Sequence, residues 1–291
     1  MSSATLIIQN VKWPVFKVFS VLLLGLLFLR DALWWDILLD ERVIQPFVLL
    51  LTPPALFALV RRQNPAWPLI ACCVPAGTVV GVFNLMEPLF NFDESAAIAS
   101  PLVYAPIALG LVFAYALRVI APPYESEAEA TGIAGFVVCF FLTITSFAMF
   151  LLLESGDAES YLNVPSFQIA SAVILCSFAF NNMARLTFGE VMARGGLFTC
   201  LLAAVYAITL YTAGAASEDP GTTGPTLATS FTLLAAGALV MIAASASGAK
   251  PPEDRDLLSR DWHLSEAYVF ITLIVFPPQT LLELTREFFS S

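Results

Sequence analysis

The sequence predicts an all-α integral membrane protein of about eight transmembrane helices, set out as two parallel four-helix repeats with a C-terminal interfacial helical segment. Three observations carry this. The composition is 58% apolar and only 12% charged, with a mean hydropathy of +0.82, outside the range of water-soluble domains. Charge-free runs long enough to cross a bilayer recur along the chain. The loops between them alternate in charge in the same order twice over.

The expected spans are Trp13–Leu29, Val43–Val60, Pro68–Met86, Ile98–Ala116, Gly132–Leu153, Pro165–Met183, Gly195–Ala213 and Thr226–Ser247. Backbone groups in hydrocarbon must be satisfied within the segment or in a closed barrel. These runs lack the alternation of barrel strands, so they read as helices. The first run is flanked by Lys12 and Lys17 before and by Arg30 and Asp31 after, with no small-residue cleavage site, so it is expected to stay in the chain as a span. All five tryptophans (Trp13, Trp34, Trp35, Trp67, Trp262) fall near span ends, where interfacial belts form.

Between the fourth and fifth spans, Ala121–Thr131 holds paired prolines that stop a helix and three glutamates that keep the segment in water. It divides the chain into a first repeat (1–123), an acidic cytoplasmic linker (124–131), a second repeat (132–249) and a tail (250–291). Each repeat reads as span, external loop, span, short basic turn, span, external loop, span. An even number of spans per repeat gives the halves parallel topology. In the tail, Ala267–Phe276 is too short to cross a bilayer and is broken by Pro277-Pro278. An interfacial or docking helix pair is favoured there over a ninth span.

Basic residues settle on one set of loops: Lys12, Lys17, Arg61, Arg62, Arg118, Arg185, Arg194, Lys250, Arg255, Arg260 and Arg286, with Arg30 and Arg42 opposite. The positive-inside rule then puts the N-terminus of this multi-pass protein in the cytoplasm. The opposite loops carry acids such as Asp36, Asp40, Glu87, Asp93, Glu154 and Asp219, which read as a solvated acidic face. All five cysteines fall inside spans without metal-ligand spacing, and the single histidine, His263, lies outside them. No cofactor is expected, and no phosphate loop or activated nucleophile suggests an enzyme. A net charge of −10 and the lack of a basic patch set nucleic acid aside.

The third and fourth spans hold the most specific local sequence. Val74-Pro75-Ala76-Gly77-Thr78-Val79-Val80-Gly81 lies within the third, and Gly110 lies inside the fourth, whose stretch ends at Pro122-Pro123. Small residues here allow close helix approach. This order resembles the last two helices of the MotA/TolQ/ExbB proton-channel family, the A-type stator subunits, through Pro75, Gly77, Thr78, Gly81, Gly110 and Pro122. The second half is similar in outline. Tyr161–Ser166 leads into span six, Thr199 stands in span seven where Thr78 stands in span three, and span eight opens on Gly224-Pro225-Thr226 with Thr232 and Gly237 inside. The turns at 61–67 and 184–194 lack the family's large cytoplasmic insertion, and no threonine pair precedes Gly110 or Gly237.

No proposed span has a charged residue away from its ends, so the chain is not expected to relay protons alone. The resemblance implies a scaffold subunit that assembles in the lipid bilayer around a single-span partner helix, or as a homo-oligomer, and uses proton-motive force where that partner brings a carboxylate. Pro75, Gly77, Thr78, Gly81, Gly110, Thr199, Thr232 and Gly237 are the expected channel or partner-helix interface. The alternative is a structural or assembly subunit of another membrane complex without ion conduction. A self-contained transporter is disfavoured by the absence of buried charge and by parallel halves.

Overall fold

In the computed structural model the described residues are 40–61, 64–90, 105–120, 132–154, 171–172, 188–216 and 223–246. They form six long helices and no strand: α1 (Glu41–Val60), α2 (Ala66–Phe90), α3 (Ala105–Ile120), α4 (Gly132–Glu154), α5 (Phe188–Ala216) and α6 (Thr223–Ala246). These match, in order, the second, third, fourth, fifth, seventh and eighth expected spans. The first span, nearly all of the sixth, the acidic linker and the tail with His263 lie outside the described residues. Two stretches, Glu41–Val60 and Ala66–Asn84, are long and apolar enough to cross a bilayer.

Local chemistry sets the helix ends. The Asp40 side chain caps α1 by accepting from the Arg42 N–H at 2.9 Å, with Glu41 in the positive first turn. Pro46, Pro53 and Pro54 sit inside α1, where each removes an N–H from the ladder, and all three point into the core. The helix closes at Arg61, whose N–H donates to the Phe57 carbonyl at 3.2 Å while its guanidinium lies over the Phe57 ring. Ahead of α2, Asn64 Oδ1 accepts from the Ala66 N–H at 2.9 Å and the Pro65 carbonyl accepts from the Leu69 N–H at 3.2 Å, while proline, having no N–H, leaves no donor to satisfy there.

Helix directions follow from a few contacts. Cys72, near the start of α2, donates its thiol hydrogen to the Ile242 carbonyl near the end of α6, and the two helices pack along their lengths, so they are antiparallel. Phe136 and Phe188, near the starts of α4 and α5, meet with ring centroids 5.4 Å apart, so these two run the same way. Phe83 and Phe147, toward the ends of α2 and α4, meet at 4.6 Å. One end of the bundle therefore collects Arg61, Arg118, Glu190 and Arg194, and the other Asp40, Glu41 and Arg42.

The centre is the α2–α6 pair. Every residue from Cys72 to Phe83 and from Ser230 to Val240 is buried. On its flanks α3 packs on α2 and α5 on α6, while α1 and α4 pack on each other and across the pair. Phe47 and Phe113 join α1 to α3 edge to face.

Candidate functional site

Each flank of the central pair is a helix hairpin closed at glycine. In the first, a Cβ on Gly77 would strike the Pro106 carbonyl oxygen of α3, and one on Gly110 would strike the Cys73 carbonyl oxygen of α2. The two helices thus touch through backbone, a separation that only glycine permits at these points. In the second, a Cβ on Gly196 would fall 2.7 Å from the Gly237 carbonyl oxygen, and one on Gly237 would fall 2.7 Å from both the Gly196 carbonyl oxygen and Cys200 Sγ. Cys200 donates its thiol hydrogen to the Leu234 carbonyl at 3.7 Å, a weak bond that ties α5 to α6 beside the crossing.

Among the expected interface residues, Pro75, Gly77, Thr78 and Gly81 are all buried on α2, with Gly77 against α3. Gly110 is buried on α3 opposite Cys73. Thr199 is buried on α5 beside the Gly196–Gly237 crossing, and Thr232 and Gly237 are buried on α6. The structure brings Gly77 and Gly110 into one crossing and Gly237 and Thr199 to the other. Thr78 and Thr199 do not share a wall, because α6 packs between α2 and α5.

Three of the buried hydroxyls bond within their own helices. Thr78 Oγ1 donates to the Val74 carbonyl at 3.1 Å, Thr199 Oγ1 to Gly195 at 2.8 Å and Thr143 Oγ1 to Cys139 at 2.8 Å. This back-bonding satisfies a hydroxyl in an apolar interior without a neighbouring helix. Among the described residues no group of histidine, cysteine or acidic side chains could hold a metal ion.

Sequence reasoning passed over Cys73, Pro106, Gly196 and Cys200, which complete the two crossings. A signal was present in the four-residue spacing of small residues, Cys73 to Gly77 and Gly196 to Cys200.

Large apolar side chains lie on the outside as well as in the core. Val60 is 81% exposed, Phe141 65%, Ile133 63% and Val205 60%, with Val48, Leu56, Val138, Met149 and Phe198 around half exposed. On α4 they form a stripe, Ile133, Val137, Val138, Phe141, Leu142 and Met149, that no charge interrupts. No protein family model, curated protein or solved structure matches the chain.

Proposed function

We propose that the chain is an integral protein of the bacterial cytoplasmic membrane, with its N-terminus inside, that serves as a helical scaffold for a partner membrane helix. The observation behind this is an apolar surface over an apolar core. Glycine sets the closest helix contacts and large apolar side chains fill the interior, yet valine, leucine, isoleucine and phenylalanine also cover the outside. In water such a surface would be a large aggregation hazard, whereas lipid tails accept it and reward close backbone packing within. Arginines gathered at one end agree with that end lying in the cytoplasm.

The scaffold role rests on the resemblance to stator A subunits and on the interior chemistry. Away from their first and last two turns the described helices carry no charge, and Thr78, Thr143 and Thr199 spend their hydrogen bonds on their own backbones. A titrating group for proton-motive force would come from the partner. Purification from native membranes in mild detergent, with photo-crosslinkers on the exposed faces of α4 and α5, tests this reading. Recovery of a small single-span protein crosslinked to the chain supports it, and a lone monomer with no crosslinked partner overturns it. The same satisfied hydroxyls favour a second reading, an assembly subunit without ion flux. Proteoliposomes of the complex that leak neither protons nor sodium would select it.

A further inference from the structure

The described helices pack in a pattern that chain order does not suggest. Exchange α1 with α4, α2 with α6 and α3 with α5, and the substantial packing contacts map onto each other. The α2–α3 hairpin becomes the α6–α5 hairpin, α1 on α2 becomes α4 on α6, and α1 on α3 becomes α4 on α5, while α2–α6 and α1–α4 map onto themselves. The approach of α1 to α6 has a smaller counterpart in the Phe83–Phe147 contact between α2 and α4. A two-fold that related the repeats in chain order would instead pair the α2–α6 contact with one between α3 and α5, and those helices share no such packing.

The sense of the exchange is inverted. Because α2 and α6 are antiparallel and α1 and α4 start at opposite ends of the bundle, the axis relating the triplets lies across the helices. The crossings supply the register. Gly77 on Pro106 corresponds to Gly237 on Gly196, and Gly110 on Cys73 corresponds to Cys200 on the Leu233-Leu234 turn. In that register Ala76-Gly77-Thr78-Val79-Val80 lies over Ala236-Gly237-Ala238-Leu239-Val240, and Gly110-Leu111-Val112 over Cys200-Leu201-Leu202. Leu111 and Leu201, matched by this register, are each 37% exposed.

The two kinds of interface differ in stiffness. Within each hairpin the contact is backbone on backbone, which leaves no room for sliding. Between hairpins α2 and α6 meet where the Cys72 side chain reaches the Ile242 carbonyl at 3.6 Å, inside a buried cluster that holds larger side chains such as Val79, Val80 and Ile242. Packed bodies that meet through side chains move by small shear or rocking, here at the α2–α6 contact with α1–α4 and α1–α6 beside it, and inverted relations make the two extremes of such a movement alike.

We infer that the chain consists of two inverted triplets, α1-α2-α3 and α4-α6-α5, that rock across the α2–α6 contact so that opening one end of the bundle closes the other. This goes beyond the scaffold reading and holds with or without a partner helix.

The test uses the full chain in lipid nanodiscs with non-canonical amino acids at exposed positions. Val60 and Ile133 report the arginine-rich end, Val48 and Met149 the opposite end, and Val60 with Leu111 a distance within one triplet. Pulsed dipolar spectroscopy is expected to give two distance populations at each end and one within the triplet. Joining positions 60 and 133 with a short bifunctional reagent is expected to drive the 48–149 pair wholly into its wider population. A single narrow population at both ends, an opposite end unmoved by the lock, or widening of the intra-triplet pair alongside the others overturns the inference.

Discussion

Gly77 and Pro106 meet backbone to backbone, so close that a β-carbon at 77 would collide with the Pro106 carbonyl oxygen. The same relation recurs between Gly196 and Gly237 on the other side of the central pair. These contacts set how near the helices of each hairpin can come, and in the proposed lipid setting dispersion between close backbones replaces the hydrophobic driving force that lipid does not supply.

Alanine at either crossing forces helices apart. Gly77→Ala and Gly237→Ala are each expected to destabilise the folded protein by about 1–3 kcal/mol, the range for overpacking a tight core, less the small gain from alanine's helix propensity. Melting in detergent monitors this, with the exposed Val48→Ala as a control that stays near the wild type.

The hydroxyls predict the opposite result. Thr78 and Thr199 bond only their own preceding turns in the described contacts, so Thr78→Val and Thr199→Val remove a local bond and leave the helix ladder intact. A loss of at most about 1 kcal/mol is expected. A much larger loss in the melting transition would place these hydroxyls in an interhelical network.

Cys72, Cys73, Cys139 and Cys200 are all fully buried. A membrane-permeant maleimide should leave these four unmodified in the folded protein, and should label all of them after denaturation in hot SDS. Peptide mapping by mass spectrometry reads each site separately.

The outward face of α4 responds to charge according to its surroundings. Phe141, 65% exposed near the middle of that helix, faces lipid in this account. Phe141→Lys is expected to cost about 2.5–3.5 kcal/mol of insertion free energy and to lower the membrane-integrated fraction in a glycosylation-reporter assay. If the face were in water, the same change would raise solubility and leave the yield intact.

Much of the helical plan was legible in the sequence because charge-free length is a strong signal. Val43–Val60 and Gly132–Leu153 agree with α1 and α4 to within two residues at either end. The larger misses have one cause. Requiring runs without charge starts the seventh span at Gly195, yet α5 begins at Phe188 and carries Glu190 and Arg194 in its first turns. Likewise α3 continues past Ala116 through Arg118. Helices do not end where the bilayer does, and long charged side chains reach water from their last turns. Of the site, Gly77, Gly110 and Gly237 could be singled out as small residues in apolar runs, but the helix that each one faces could not. Which helix a glycine faces depends on the packing of the whole bundle, and nothing local in Pro106 or Gly196 reveals it.

Accessibility of spin labels along α4 and α6 tests the membrane-embedded account most directly. Labels at Ile133, Val137, Phe141 and Met149, placed as non-canonical amino acids in the chain reconstituted in liposomes, should collide readily with oxygen and scarcely with a water-soluble nickel chelate. Labels at Leu233 and Ala236, buried in the central pair, should be shielded from both. Strong nickel collisions along the α4 stripe would contradict the account, because they would place that apolar face in water.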